Sequence, residues 1–235
     1  MFNPNPIINA VTIDSEHVCY VVDNALAWPR RWVEFAATHR QAFEQAPFNA
    51  YPGIEMPLTA SVSSLLDDFF RLHIRAKLGA RRTLQLHSRL SMATLHAHEL
   101  SPIQWLCHRD RLGVSPAQSV AASVLYLFND ESLGGTSFFK PNATSTETEA
   151  LMREAATAKR ETFAAARGVR PGYLTESNAH FTRVCTVPAR WNRIIFYDGS
   201  QFHSPDIREP AKLSPDVTQG RLTLNGFFTC SRIAV

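Results

Sequence analysis

At Thr83 the apolar pattern of this 235-residue chain changes period, and that change limits the folds open to it. Upstream, apolar residues recur at helical spacing. Trp32, Phe35, Ala36 and Phe43 do so in PRRWVEFAATHRQAFEQ, with Pro29 near the first turn, and Leu65, Leu66, Phe69, Phe70 and Ile74 do so between about Ser61 and Lys77. Downstream, Leu84, Leu86, Ser88, Leu90 and Met92 alternate with Gln85, His87 and Arg89, as in a strand with two different faces. IQWLCHRD, SVAASVLYLFN, TSFFKP, ARWNRIIFYDG and RLTLNGFFTC continue as strand candidates, and EHVCYVVDN reads as an earlier one. The order is helices first, then at least six strands, and the class is mainly β with flanking helices.

The connecting segments carry their own signals. APFNAYPGIEMPLTA holds Pro47, Pro52 and Pro57, too many bends for a regular element. Asn129 to Gly135 has turn composition, with Gly134 and Gly135 free to take unusual dihedrals. Thr144 to Ala166 is rich in Glu and Ala and reads as one helix capped by Ser145 or Thr146, inserted between strands. The length suits one domain over residues 1–235. Residues 1–80 would be a mostly helical support, and residues 81–235 a β core with a helical insertion at about 144–167.

Lys+Arg and Asp+Glu number 24 and 21, a formal charge of +3 spread without a basic block, so no nucleic-acid partner is expected. Cys19, Cys107, Cys185 and Cys230 are far apart and form no C-x-x-C pair, which suits a reducing compartment. MFNPNPIINA has neither a basic nor an apolar leader region, and no apolar run approaches the ~18 residues of a membrane span. A cytoplasmic protein with no membrane partner is the expectation. The oligomeric state stays open, a homodimer included.

Chemistry concentrates in four dispersed residues. His108 and Asp110 stand one residue apart in LCHRD, His203 lies in FYDGSQFHSPD, and Arg221 opens GRLTLNGFF. In a strand, residues i and i+2 share a face, so His108 and Asp110 would project together while Arg109 points away. Two imidazoles and one carboxylate form the ligand set of a non-haem Fe(II) oxygenase and leave coordination positions open. Arg221 can offer a bidentate fork to a carboxylate. Regular alternation would put Thr223 and Asn225 on its face. His87, His96 and His98 also cluster, and read as structural or cavity-lining residues.

From about Glu16 to Phe228 the chain resembles the Fe(II)/2-oxoglutarate-dependent dioxygenases, particularly their prolyl-hydroxylase-like branch. The resemblance rests on H-x-D, on LYLFNDESLGGTSFF, on NRIIFYDGSQFHS and on the arginine that follows. It implies a double-stranded β-helix, a jelly roll of cupin-like type, with His108, Asp110 and His203 as Fe(II) ligands. It further implies that Arg221 binds the distal carboxylate of 2-oxoglutarate, with Tyr126 as an added donor, and the strand alternation would set Thr223 beside Arg221. The implied reaction is hydroxylation of an amino acid, a peptide side chain or a small metabolite, with release of succinate and CO2. A carboxylate at Asp110, where the halogenating members carry a small residue, implies hydroxylation over halogenation. Candidate substrate contacts are His87, Arg89, Gln104, Asn129, Lys140 and Arg183, with Tyr51-Pro52-Gly53 as a closing loop. Two other readings stay open: a cupin-like metalloenzyme that does not use 2-oxoglutarate, and a non-catalytic jelly-roll binding protein.

Overall fold

The computed structural model describes residues 1–45, 51–110 and 113–232. Its strands are β1 (Ile8–Thr12), β2 (Val18–Val22), β3 (Gly53–Pro57), β4 (Ala80–Ala93), β5 (Gln118–Tyr126), β6 (Thr136–Pro141), β7 (Phe181–Val187), β8 (Ile194–Asp198), β9 (Phe202–Pro205) and β10 (Arg221–Arg232). The helices are α1 (Pro29–Thr38), α2 (Ala60–His73), α3 (Ser145–Thr157) and α4 (Arg160–Arg167). A seven-stranded antiparallel sheet runs β1-β2-β8-β5-β10-β4-β3, and a three-stranded sheet runs β7-β6-β9. The chain folds as a double-stranded β-helix.

Alternation along the strands builds layers. In β8, Ile194 and Phe196 pack outward with Leu66, Phe69 and Phe70 of α2, while Ile195 and Tyr197 turn inward to meet Phe138 of β6 and Val187 of β7. Both faces of the larger sheet are therefore covered, which is why IIFY is an unbroken apolar run. Phe70 stacks on Phe228 of β10 with centroids 4.0 Å apart. Truncating a fully buried ring of this kind costs about 3–5 kcal/mol. On the outer side of the smaller sheet, Leu151, Ala155 and Phe163 of α3 and α4 pack around Trp105, Phe139 and Phe181. The space between the two sheets is left for the site.

Several elements differ from the sequence expectation. The amino-terminal 80 residues supply β1, β2 and β3 to the larger sheet besides two helices. The Pro-rich loop contains an edge strand, β3, where Pro57 closes the pairing and its missing N–H costs no ladder bond; Pro47 lies outside the described residues. The first helix stops at Thr38, and Arg40–Ala42 continues only as a 3-10 turn. Ala36 and Phe43 are buried and Trp32 packs against the core, but Phe35 is exposed, with its ring 4.2 Å from that of His39. Leu65 and Leu84 also face solvent.

The late helix is two helices. Ala158 and Lys159 are extended at ψ 150 and 145, and the break lets both Leu151 and Phe163 reach one apolar cluster. Tertiary packing thus overrides a continuous helical composition. The cap is Thr144, reciprocally bonded to Glu147, and not Ser145 or Thr146. β1, β7 and β9 are additional to the expected strands. IQWLCHRD is not a strand: Ser101 and Pro102 start a 3-10 turn at Pro102–Trp105, and only His108 forms a bridge, with His203. Gly134 does take φ 87, whereas Gly135 is needed for space, because a Cβ there would lie 2.0 Å from the Val187 carbonyl oxygen. No helix among the described residues is long and apolar enough to cross a membrane.

Candidate metal centre

His203 sits on β9, and its backbone fixes the opposite segment. His108 N–H donates to the His203 carbonyl at 2.9 Å, and His203 N–H donates back at 2.8 Å. Two residues on, Asp110 N–H donates to the Gly199 carbonyl at 2.7 Å, so the H-x-D segment runs extended although it is not a full strand. Its two ligand side chains share a face. Arg109 leaves in the opposite direction, bonding Glu149 of α3 at 2.8 Å and lying over the Phe202 ring.

The three side chains converge. One ligand atom from each of His108, Asp110 and His203 lies within 4.8 Å of the others. His203 Nε2 stands 3.5 Å from Asp110 Oδ2, and His108 Nε2 stands 3.8 Å from Asp110 Oδ1. His203 Nδ1 lies 3.0 Å from the Gln201 carbonyl, so this nitrogen carries the proton and Nε2 keeps its lone pair for the centre. Asp110 Oδ2 is buried with no hydrogen-bond partner among the described residues. Burial pushes the Asp110 carboxyl up, against the pull of His203 and Arg89. Burial holds His108 well below the usual imidazole range, and the charges of His203 and Arg89 add to that. A buried carboxylate without a hydrogen-bonded counter-charge is costly alone and becomes favourable around a divalent cation. The donor set therefore fits Fe(II).

Arg221 faces the same cavity from the first position of β10. It is buried, with 3% of its surface exposed. Its Nε donates to the Leu133 and Gly134 carbonyls, both at 3.1 Å, and Nη2 donates to Gly135 at 2.9 Å. These bonds hold the guanidinium from behind. An arginine has five N–H groups, so a donor edge remains for a ligand. Thr223 also lines the cavity, and its hydroxyl donates to the Ser91 carbonyl at 3.3 Å. Tyr51 borders the same cavity; burial pushes its hydroxyl up to about 12, with the charge of Arg221 pulling the other way.

Tyr126 does not line the cavity. Its hydroxyl shares a 2.9 Å hydrogen bond with Thr136, which does, so Tyr126 acts on the space only through Thr136. Of the remaining sequence candidates, Arg89, Gln104, Tyr51 and Pro52 border the cavity. His87 lies in a neighbouring groove, Lys140 pairs with Asp14 on the outside, Arg183 bonds the Thr175 carbonyl, and Asn129 is exposed. His96 and His98 stack on each other, with His96 bonded to the Pro210 carbonyl.

Sequence reasoning missed Tyr197, Tyr173 and Glu55. Tyr197 stands with its ring 4.9 Å from that of His203, and two-residue alternation along IIFY could have placed it inward. Tyr173 donates to the Leu95 carbonyl at 2.7 Å from an irregular segment that carries no periodicity. Glu55 was hidden by the prolines around it.

A jelly roll that gathers two histidines, a carboxylate and a buried arginine into one cleft defines a candidate metal-binding protein of the cupin-like class. A family model described as "Family of unknown function (DUF6445)" matches residues 4–228, and the chain belongs to that family. No curated protein matches it significantly. Among solved structures it is similar to SnoK, a non-heme alpha-ketoglutarate-dependent carbocyclase from nogalamycin biosynthesis. The TM-score is 0.51 at 10% identity, covering 90% of this chain and 79% of that one. It also matches a Pseudomonas putida prolyl-4-hydroxylase, with TM-score 0.46 at 13% identity over 94% of this chain and 95% of that one. HygX from Streptomyces hygroscopicus, with nickel and 2-oxoglutarate bound, matches with TM-score 0.47 at 11% identity over 91% and 82%. At these identities the likeness concerns the fold, and the chemistry has to be argued from the site.

Proposed function

We propose that this protein is an Fe(II)- and 2-oxoglutarate-dependent oxygenase. Its substrate is an amino acid, a peptide side chain or a small metabolite, hydroxylated with release of succinate and CO2. The observation that carries the reading is the His108–Asp110–His203 cluster with its orphaned buried carboxylate oxygen, in one cavity with Arg221.

His108 and His203 would hold the metal through Nε2 and Asp110 through its carboxylate. Arg221 would take the distal carboxylate of 2-oxoglutarate, with the hydroxyls of Thr223 and Tyr51 beside it. When bound, the metal and the 2-oxo acid supply oxygen activation and the electrons released by decarboxylation. The chain's own task is placement. The bond from His203 Nδ1 to Gln201 fixes one ligand's tautomer, the carbonyls behind Arg221 fix its fork, and Leu106, Val124 and Phe227 keep the walls apolar. The carboxylate that Asp110 would offer as a ligand supports hydroxylation over halogenation.

The test is succinate formation from 2-oxoglutarate by anaerobically Fe(II)-loaded protein after addition of oxygen, comparing wild type with H108A. Iron-dependent succinate is expected from wild type alone. Iron binding in wild type without any 2-oxoglutarate consumption, across a broad substrate panel, would instead favour the cupin-like metalloenzyme.

A further inference from the structure

Beside the metal centre, β4 and β10 place a second set of polar groups that neither the metal nor the 2-oxo acid accounts for. Arg89 and Asn225 are direct partners in the β4–β10 register and border the same cavity as His108 and Asp110. Directly opposed side chains on one sheet face lie about 4.5–5.5 Å apart at Cβ, close enough to hold one ligand together. Arg89 lies over the Phe227 ring at 4.6 Å and pairs through Nε with Glu55 at 2.8 Å. The ring supports the plane of the guanidinium and the ion pair engages Nε, which leaves the terminal nitrogens for a ligand.

Asn225 is 7% exposed. Its Nδ2 donates to Ser91 at 3.0 Å, while its Oδ1 is buried with no hydrogen-bond partner among the described residues. A buried amide oxygen without a donor costs about 1–3 kcal/mol, so this position is explained by a donor that arrives with a ligand. Arg89 and Phe227 also border an adjoining groove that contains Glu44 and His87.

Resting on the oxygenase reading above, we propose that Arg89 and Asn225 form the substrate anchor, and that the substrate is an α-amino acid. Its carboxylate sits on Arg89, its ammonium N–H donates to Asn225 Oδ1, and its side chain points to the metal. Charge favours a zwitterion over a simple anion. Arg89 already has the buried Glu55 as counter-ion, so an anion alone would add an uncompensated charge beside that carboxylate, while a zwitterion brings its own cation.

The experiment uses the full chain loaded with Zn(II), an oxygen-inert stand-in, and saturated with 2-oxoglutarate. Binding of the twenty L-amino acids is read by saturation-transfer NMR and calorimetry. Each binder is compared with its α-carboxamide and with the acid lacking the α-amine. The expected result is at least one binder whose carboxamide is weakened tenfold or more. The R89Q/E55Q double variant, which removes the ion pair whole, should lose at least ten times more affinity for the amino acid than for 2-oxoglutarate. R89K should lose less, and N225S should shrink the penalty for removing the amine. Equal binding of acid and amide, or an unaffected double variant, would overturn the assignment. If 2-oxoglutarate itself fails to bind the wild type, the oxygenase reading falls and this inference with it. If it binds and no amino acid does, this inference alone falls.

Discussion

His108 and His203 grip each other by the backbone, each N–H on the other's carbonyl, and their imidazole centroids stand 4.4 Å apart. The centre is therefore organised by β9 and its bridge, with Asp110 as the member whose cost is unrelieved. Titrated to about 100 times its Kd, a divalent cation such as Mn(II) adds about 2.7 kcal/mol, or about 5–11 °C in Tm for a chain of this size. D110N should abolish most of that rise. Without metal it should melt no lower than wild type, because it removes a buried unpaired carboxylate oxygen. Differential scanning calorimetry with and without metal reads both; an apo D110N that melts well below wild type contradicts the account.

Arg221 serves the loop as well as the ligand, since its guanidinium satisfies the carbonyls of Leu133, Gly134 and Gly135. R221A leaves these buried acceptors unmet and should lose about 2–4 kcal/mol of stability, along with 2-oxoglutarate binding. R221K keeps the charge but not the fork, so 2-oxoglutarate affinity should fall at least tenfold with a smaller loss of Tm. Calorimetric titration of the metal-loaded variants decides this, and unchanged affinity in R221A would remove the assigned role.

Legibility in the sequence followed periodicity and failed where tertiary contacts decide. The alternation through Arg221, Thr223 and Asn225 was readable, and all three face the cavity as that pattern requires. H-x-D was readable as a shared face, though its backbone is held by one bridge and not by a strand. β3 was masked by its own prolines, and with it went Glu55 and the ion pair that positions Arg89. Tyr126 failed for a reason of depth: the correct face does not say whether a hydroxyl reaches a cavity or stops at a neighbour, here Thr136. The break at Ala158 carries no Gly or Pro, and only the cluster around Trp105 explains it.

Acid sensitivity should trace in part to Asp14, which ties the β1–β2 turn to β6. Burial raises this carboxyl, but the Glu16 N–H, His17 and Lys140 outweigh it and hold it down at about 2, from an ordinary 3.8. A depressed folded value means stability that is present above about pH 4 and is lost as pH falls toward 2. Screening at this outer surface reduces the contribution to about 1 kcal/mol. D14N should therefore be less stable than wild type at pH 7, with the difference closing between pH 4 and pH 2. Urea unfolding at a series of pH values measures it; a constant gap would mean that the loss is packing and not charge.

Gly135 couples the smaller sheet to the co-substrate end of the cleft. A Cβ there would meet the Val187 carbonyl oxygen at 2.0 Å and the Ala189 nitrogen at 2.7 Å, both backbone atoms that cannot swing aside. G135A must therefore push β6 from β7, and the carbonyl it displaces is the one that accepts from Arg221 Nη2. Overpacking against backbone costs about 1–3 kcal/mol or more, a fall in Tm of about 2–12 °C. Gly168, at the end of α4, is the control: no described residue lies within 4 Å of its Cβ, so G168A bears only the strain of φ +61, and Gly168 accepts none of the Arg221 hydrogen bonds. Both variants should lose stability, but only G135A should also weaken 2-oxoglutarate binding to the metal-loaded protein. Equal effects of the two on that binding would show that the Gly135 carbonyl does not steer the Arg221 fork.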